Sequence, residues 1–137
     1  MTEWLKLPEA KVQGEFDFSF SGLKTAVLNL TRKLEKELGE IPKEDVAASF
    51  QECITSTLFK KTLKAAQKYN IKQIVLGGGV AANSEIRKKF FSLEDKGYKI
   101  FAPAMKYCTD NASMIASSAY FLANTMDSLE QEVFSRC

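Results

Sequence analysis

Ile71-Lys72-Gln73-Ile74-Val75-Leu76-Gly77-Gly78-Gly79-Val80-Ala81-Ala82-Asn83 is the stretch on which the fold turns. Residues 71–76 are a short apolar run rich in β-branched side chains, and three consecutive glycines stop it, so it reads as a buried strand entering a tight turn. Helix-forming composition resumes at Ala82 and lasts to about Leu93. Gly97 closes that segment, and residues 98–102 supply a second strand, broken by Pro103. Strand, helix, strand is a βαβ unit, which places the two strands parallel.

Working outward, Leu23, Ala26, Val27, Leu30 and Leu34 recur at three- and four-residue steps from Ser21 onward, and Gly39 stands where a helix C-terminal cap belongs. Pro42 suits a first helical turn. Val46, Phe50, Cys53, Ile54, Thr57 and Leu58 then mark the apolar stripe of a long second helix, expected to reach about Tyr69 and to end at Asn70. Downstream of the βαβ unit, Thr109 or Asp110 is placed to cap a last helix. Its Ala112, Ile115, Ala116, Ala119 and Leu122 make a small-residue face suited to close packing, and it frays after Met126. Residues 1–16, with Pro8 and Gly14 and no period, read as an irregular lead-in, residues 17–126 as one lobe, and residues 127–137 as a tail. Two parallel strands are too few for a complete sheet.

Composition narrows the function classes. The chain has 137 residues, 45% of them hydrophobic, enough for one domain with a core. A net charge of +2 does not announce a nucleic-acid binder, so any RNA contact must come from a local patch. Cys53, Cys108 and Cys137 are widely spaced and fit neither a disulfide framework nor a zinc site, which points to a reducing, cytoplasmic setting. No apolar run approaches the roughly 18 residues of a membrane span, and no secretory pattern opens the chain. There is no histidine, which removes the commonest general base and the commonest metal ligand together.

Four segments could carry chemistry. Gly77, Gly78 and Gly79 precede a helix start, where bare N–H groups and the helix dipole can meet an anion or a nucleotide. A plain strand-to-helix turn would use the same residues. Asn83 could bond a base or ribose, or simply cap its helix. In Asp17-Phe18-Ser19-Phe20-Ser21-Gly22-Leu23-Lys24-Thr25, Ser21 reads as an N-cap and Lys24 as solvated. In Cys108-Thr109-Asp110-Asn111, Asp110 is a cap or an oxygen ligand for a metal. Arg87, Lys88, Lys89 and Lys96 could touch phosphates but read more naturally as a solvated helix face. No catalytic residue can be assigned.

The joint order of three blocks is more specific than any one of them. Phe18-Ser19-Phe20-Ser21-Gly22-Leu23-Lys24-Thr25, then Gly78-Gly79-Val80-Ala81-Ala82-Asn83 with Arg87, then Cys108-Thr109-Asp110-Asn111 with Met114-Ile115-Ala116 resemble the C-terminal signature of the tRNA N6-adenosine threonylcarbamoyltransferase family, formerly the O-sialoglycoprotein endopeptidase or glycoprotease family. The resemblance implies an α/β fold: a partial actin/sugar-kinase-like, ribonuclease H-like ATPase lobe, helix-rich with a small two-stranded parallel sheet. It implies transfer of threonylcarbamoyl from threonylcarbamoyl-AMP to the adenosine next to the anticodon of tRNA.

By the same resemblance Asn83 contacts the adenylate, Gly77, Gly78 and Gly79 let backbone approach it, and Ser21 and Lys24 lie near that cleft. Asp110 would be one of three protein ligands of iron or zinc. The other two ligands are histidines of an N-terminal lobe, which this sequence does not contain, so the chain is expected to be inactive alone. Implied partners are tRNA, the missing N-terminal lobe and, in bacterial relatives, an inactive paralogue subunit and a small P-loop ATPase. Unpaired strand edges add the expectation of a homodimer. The alternatives are a non-catalytic interaction module and a metallopeptidase. The second lacks any His-Glu-x-x-His motif here.

Overall fold

The computed structural model describes residues 5–8 and 12–122. Four helices and two strands follow in the order α1 (Leu23–Leu38), α2 (Lys43–Lys68), β1 (Gln73–Val75), α3 (Ser84–Phe91), β2 (Lys99–Phe101) and α4 (Ala112–Phe121). Short 3-10 turns lie at Gly79–Ala82, Glu94–Lys96 and Met105–Tyr107. The fold is α/β, helix-rich, with a parallel two-stranded sheet in the register Gln73↔Lys99, Ile74↔Ile100 and Val75↔Phe101.

Local chemistry explains where each helix stops. Gly39 ends α1 at φ 76°, its N–H bonded to Glu35 O. Helix α2 carries Glu44 and Asp45 in its first turn and Lys68 in its last, each complementing the macrodipole. It closes on a Schellman motif. Asn70 takes the left-handed conformation at φ 53°, its N–H reaches Gln67 O at 3.2 Å, and the Ile71 N–H reaches Ala66 O at 2.8 Å.

Two clusters hold the chain. Leu5, Leu34 and Val46, with Val27, Leu30 and Ile41 against them, join α1 to α2. Leu5 is only 2% exposed, so part of the lead-in is anchored in this core. The larger cluster sets Ile74 and Ile100 of the sheet against Ala66 of α2, Ile86 and Phe90 of α3, and Leu93 and Tyr98. Phe59 meets Phe90 edge-on at 5.4 Å. Both helices cover the same sheet face, and on the other face Val75 is 74% exposed and Phe101 50%.

The structure corrects several expectations. The strands have three residues each, because Ile71 closes the α2 cap and Leu76 already leads into the glycine turn, although its N–H still bonds Phe101 O at 2.8 Å. Helix α3 starts at Ser84, since Gly79–Ala82 forms a 3-10 turn. The N-cap of α4 is Asn111, whose Oδ1 accepts the Met114 N–H at 2.9 Å, so neither Thr109 nor Asp110 caps it. Gly22 occupies the N-cap position of α1 without a side-chain bond, and Ser21 instead shares a hydrogen bond with Ser19, 3.1 Å between hydroxyls. The small-residue face of α4 is exposed along its length. The expected fraying after Met126, the 127–137 tail and Cys137 lie outside the described residues.

Candidate functional site

Parallel strands deliver their following loops to one end of the sheet, where open α/β folds gather ligand groups. Here those loops are residues 77–82 after β1 and residues 102–111 after β2. In the first loop Gly78 has φ 80° and ψ 176°, a conformation open to glycine and strained for other residues. A Cβ at Gly77 or Gly79 would meet nothing within 4 Å, so packing does not demand those two glycines. All three are exposed, and the loop is pinned by Ala81 N–H to Gly78 O and Asn83 N–H to Val80 O, both 3.0 Å.

Asn83 performs two tasks with the two ends of its amide. Its Oδ1 accepts the N–H groups of Glu85 and Ile86 at 3.0 and 3.1 Å, which makes it the α3 N-cap. Its Nδ2 donates to Oε1 of the exposed Gln51 on α2 at 3.2 Å.

Arg87 joins the two loops. Helical side chains lean toward the helix N-terminus, and from the first turn of α3 its guanidinium folds back over the glycine turn. Nε donates to Ala81 O at 2.7 Å, while Nη2 donates to Pro103 O at 2.5 Å and to Cys108 Sγ at 3.2 Å. Cys108 is 3% exposed and also faces the Ala104 carbonyl at 3.7 Å. The expectation of a solvated basic face therefore fails for Arg87. It fails for Lys89 too, whose Nζ donates to both Glu52 oxygens at 2.9 Å and to Ser56 Oγ at 3.0 Å. Lys89, and after it Ser56, holds the Glu52 carboxyl below its ordinary range. Lys88 and Lys96 are exposed, as read.

Asp110 lies exposed on the second loop, between the Met105–Tyr107 turn and α4. Among the described residues no three His, Cys, Asp or Glu side chains gather as a metal site would require. Ser21 and Lys24 lie at the start of α1. Lys24 lines an apolar groove of about 510 Å³ between α1 and α2, with Leu23, Val27, Val46 and Phe50. No hydrogen bond or ion pair among those described links either residue to the glycine turn. Sequence reasoning missed Arg87 as a brace, Gln51 as the partner of Asn83, and Cys108 as a buried acceptor. The position of Arg87 four residues after a capping Asn was the available signal.

A family model described as tRNA N6-adenosine threonylcarbamoyltransferase matches residues 2–117. Curated proteins of that description include one from Thermosipho africanus, 53% identical over 108 residues, covering 78% of this chain and 32% of the relative. One from Fusobacterium nucleatum is 48% identical over 120 residues, 87% of this chain and 35% of the relative. One from Dehalococcoides mccartyi is 46% identical over 132 residues, 94% and 38% respectively. The chain spans about a third of the length of the curated relatives it matches.

Proposed function

Because the chain belongs to the tRNA N6-adenosine threonylcarbamoyltransferase family, we propose that it supplies one wall of the site at which threonylcarbamoyl passes from threonylcarbamoyl-AMP to the adenosine beside the tRNA anticodon. The family is one of transferases with an actin/sugar-kinase-like, ribonuclease H-like fold, of which this chain presents a helix-rich part with two parallel strands. The observation that carries the proposal is the Arg87 brace. It fixes the glycine turn and the 103–108 segment side by side beyond the strand ends, so that a ligand over one would meet the other.

In this reading the Gly77, Gly78 and Gly79 backbone approaches the adenylate, whose negative charge suits the α3 N-terminus. Asn83 keeps its Oδ1 on the helix and turns its Nδ2 from Gln51 to the ligand. The exocyclic amine of the adenosine attacks the carbamoyl carbon, the bond to the phosphate oxygen breaks, and AMP leaves. The start of α3 favours the charge that leaves with it. Asp110 would give one oxygen to iron or zinc, but the described residues do not make a metal site by themselves. The histidines and the remaining phosphate contacts would come from outside this sequence, as would the inactive paralogue and the P-loop ATPase. The setting is cytoplasmic, and no described helix is long and apolar enough to cross a membrane.

The test is calorimetric titration of the chain with AMP. Asn83→Asp retains an oxygen for the cap and loses the amide donor, so it should keep the wild-type urea midpoint and lose AMP binding. Asn83→Ala should lose both, with the missing cap costing about 1 kcal/mol. Unchanged AMP affinity in Asn83→Asp would overturn the assignment. Supplied with threonylcarbamoyl-AMP and a tRNA transcript, the chain alone should show no transfer, and robust modification would refute its incompleteness. A second reading, a non-catalytic interaction module, draws on the bare surface of α4, and AMP binding distinguishes the two.

A further inference from the structure

From Cys53 to Ser84 the chain contains no Asp or Glu, yet it carries Lys60, Lys61, Lys64, Lys68 and Lys72. This is the local basic patch that the near-balanced total charge conceals. On α2, Lys61, Lys64 and Lys68 stand at i, i+3 and i+7, a spacing that aligns them on one face. Their contacts confirm the alignment, because all three reach the same short segment. Lys61 Nζ donates to Asp17 O, while Lys64 Nζ, at 3.1 Å, and Lys68 Nζ both hold the Glu15 carboxylate. Two carboxylates, Glu15 and Asp17, stand in that segment against three ammonium groups, which still leaves the face positive, with the Lys64 and Lys68 side chains 61% and 50% exposed.

Aromatic rings lie along the same face. Lys61 Nζ sits 5.6 Å from the Phe18 ring centre, and Lys68 Nζ sits 5.0 Å from Phe16 and 5.9 Å from Tyr69. Phe18 and Phe20 stack at 6.5 Å with 12° between their planes, yet they are 45% and 38% exposed, and Tyr69 is 63% exposed. A burial role would hide such rings. An acidic protein surface would need the lysines but not the rings, whereas a nucleic-acid strand uses both, ammonium groups for phosphates and flat faces for unpaired bases.

We propose that the Lys61, Lys64 and Lys68 face, together with the Phe18 and Phe20 rings, is a contact surface for an RNA strand with unpaired bases, and that Glu15 competes with its phosphates for Lys64 and Lys68. The choice of RNA rests on the proposed function. The surface gives a role to the Phe18 block, which the site at the strand ends leaves unused.

Fluorescence anisotropy tests this, with the chain titrated into an unmodified tRNA transcript and into duplex DNA of equal length over a salt series. Neutralising three phosphate contacts should give a salt slope of about −2 to −3, since each contributes roughly −0.7 to −0.9. K61A/K64A/K68A should flatten that slope toward zero and lower affinity at least tenfold, while K88A/K96A leaves both unchanged. Phe18→Leu should lower tRNA affinity about 5- to 150-fold, as loss of base stacking does, at unchanged slope, and Phe18→Trp should retain it. Glu15→Gln should tighten binding without touching the rings.

Wild-type affinity in the triple variant would overturn the proposal. So would equal binding of duplex DNA with no effect of Phe18→Leu, which would mark a plain polyanion surface, or tighter binding of poly-glutamate than of tRNA, which would assign the face to an acidic protein. Asn83→Asp leaves this binding intact, so loss of AMP binding and loss of RNA binding are separately visible.

Discussion

Arg87 shows how much one side chain can hold. Its guanidinium serves two carbonyls and a buried sulfur from loops that follow different strands. Charged hydrogen bonds of this kind are worth about 1.5–3 kcal/mol each, and leaving half-buried carbonyls unpaired adds a penalty. Arg87→Ala should therefore lower stability by about 2–4 kcal/mol, with amide exchange in residues 103–111 rising more than in α1. Arg87→Lys should recover only part of this, since an ammonium cannot form the planar fork. Equal exchange in both segments of Arg87→Ala would show that Arg87 does not join the loops. The role was hidden in the sequence because residues 87–89 read as a row of like charges, and a row of charges does not say which member leans back over the preceding turn. Asn83 was easier. Both of its readings, cap and ligand group, were open from its place after the glycines, and the two ends of the amide make them compatible.

Secondary-structure elements were legible where punctuation is chemical. Gly39 and Asn70 mark helix ends by backbone conformation alone, and α1 and α2 stop there, while Pro42, expected in the first turn of α2, stands one residue earlier as its N-cap. The strands were overextended, because an apolar run reports burial while a ladder needs a partner: Ile71 gives its N–H to Ala66 O of α2, and Leu76 keeps a single bond to Phe101 before the glycine turn begins. The α4 cap was misplaced by one or two residues among Thr109, Asp110 and Asn111, three types that all cap well. Between elements, the tie of Glu52 on α2 to Lys89 on α3 carries a pH signature. Glu52 has a carboxyl pKa below its ordinary 4.5, first through the Lys89 bond and then through Ser56. A depressed carboxylate pKa stabilises above the unfolded value, and that contribution is lost as pH falls through the folded one. The Glu52 side chain is 45% exposed, which limits the contribution to about 0–1 kcal/mol. Lys89→Met should therefore sit slightly below wild type in urea midpoint at pH 7, with the difference shrinking as pH falls below the ordinary carboxyl value of 4.5. A gap that does not shrink at all on acidification would mean that Lys89 acts through packing.

For the whole molecule, the strand count was visible in the sequence and implied an incomplete sheet; which face stays bare was not, because period-two burial marks an inward side without saying whether anything covers the outward one. The structure answers with a connected problem. One sheet face presents Val75 and Phe101, both outer strand edges have no neighbour among the described residues, and α4 exposes Ile115, Tyr120, Phe121 and Leu122. Unpaired edges template pairing with another chain, and exposed apolar side chains on a sheet face and on a helix invite a partner. A stable partnership needs roughly 800 Å² from each side, and a second copy brings the identical surface in the self-complementary way that a two-fold axis allows. The isolated chain should then scatter light as about twice its 15.3 kDa at micromolar concentration. Phe101→Lys and Ile115→Lys place a charge on the bare sheet face and on α4 respectively, and whichever element forms the seam should return to monomer mass when altered. A mass of one chain across the whole dilution series would rule the dimer out, and a dimer indifferent to both variants would move the seam to the α1–α2 groove.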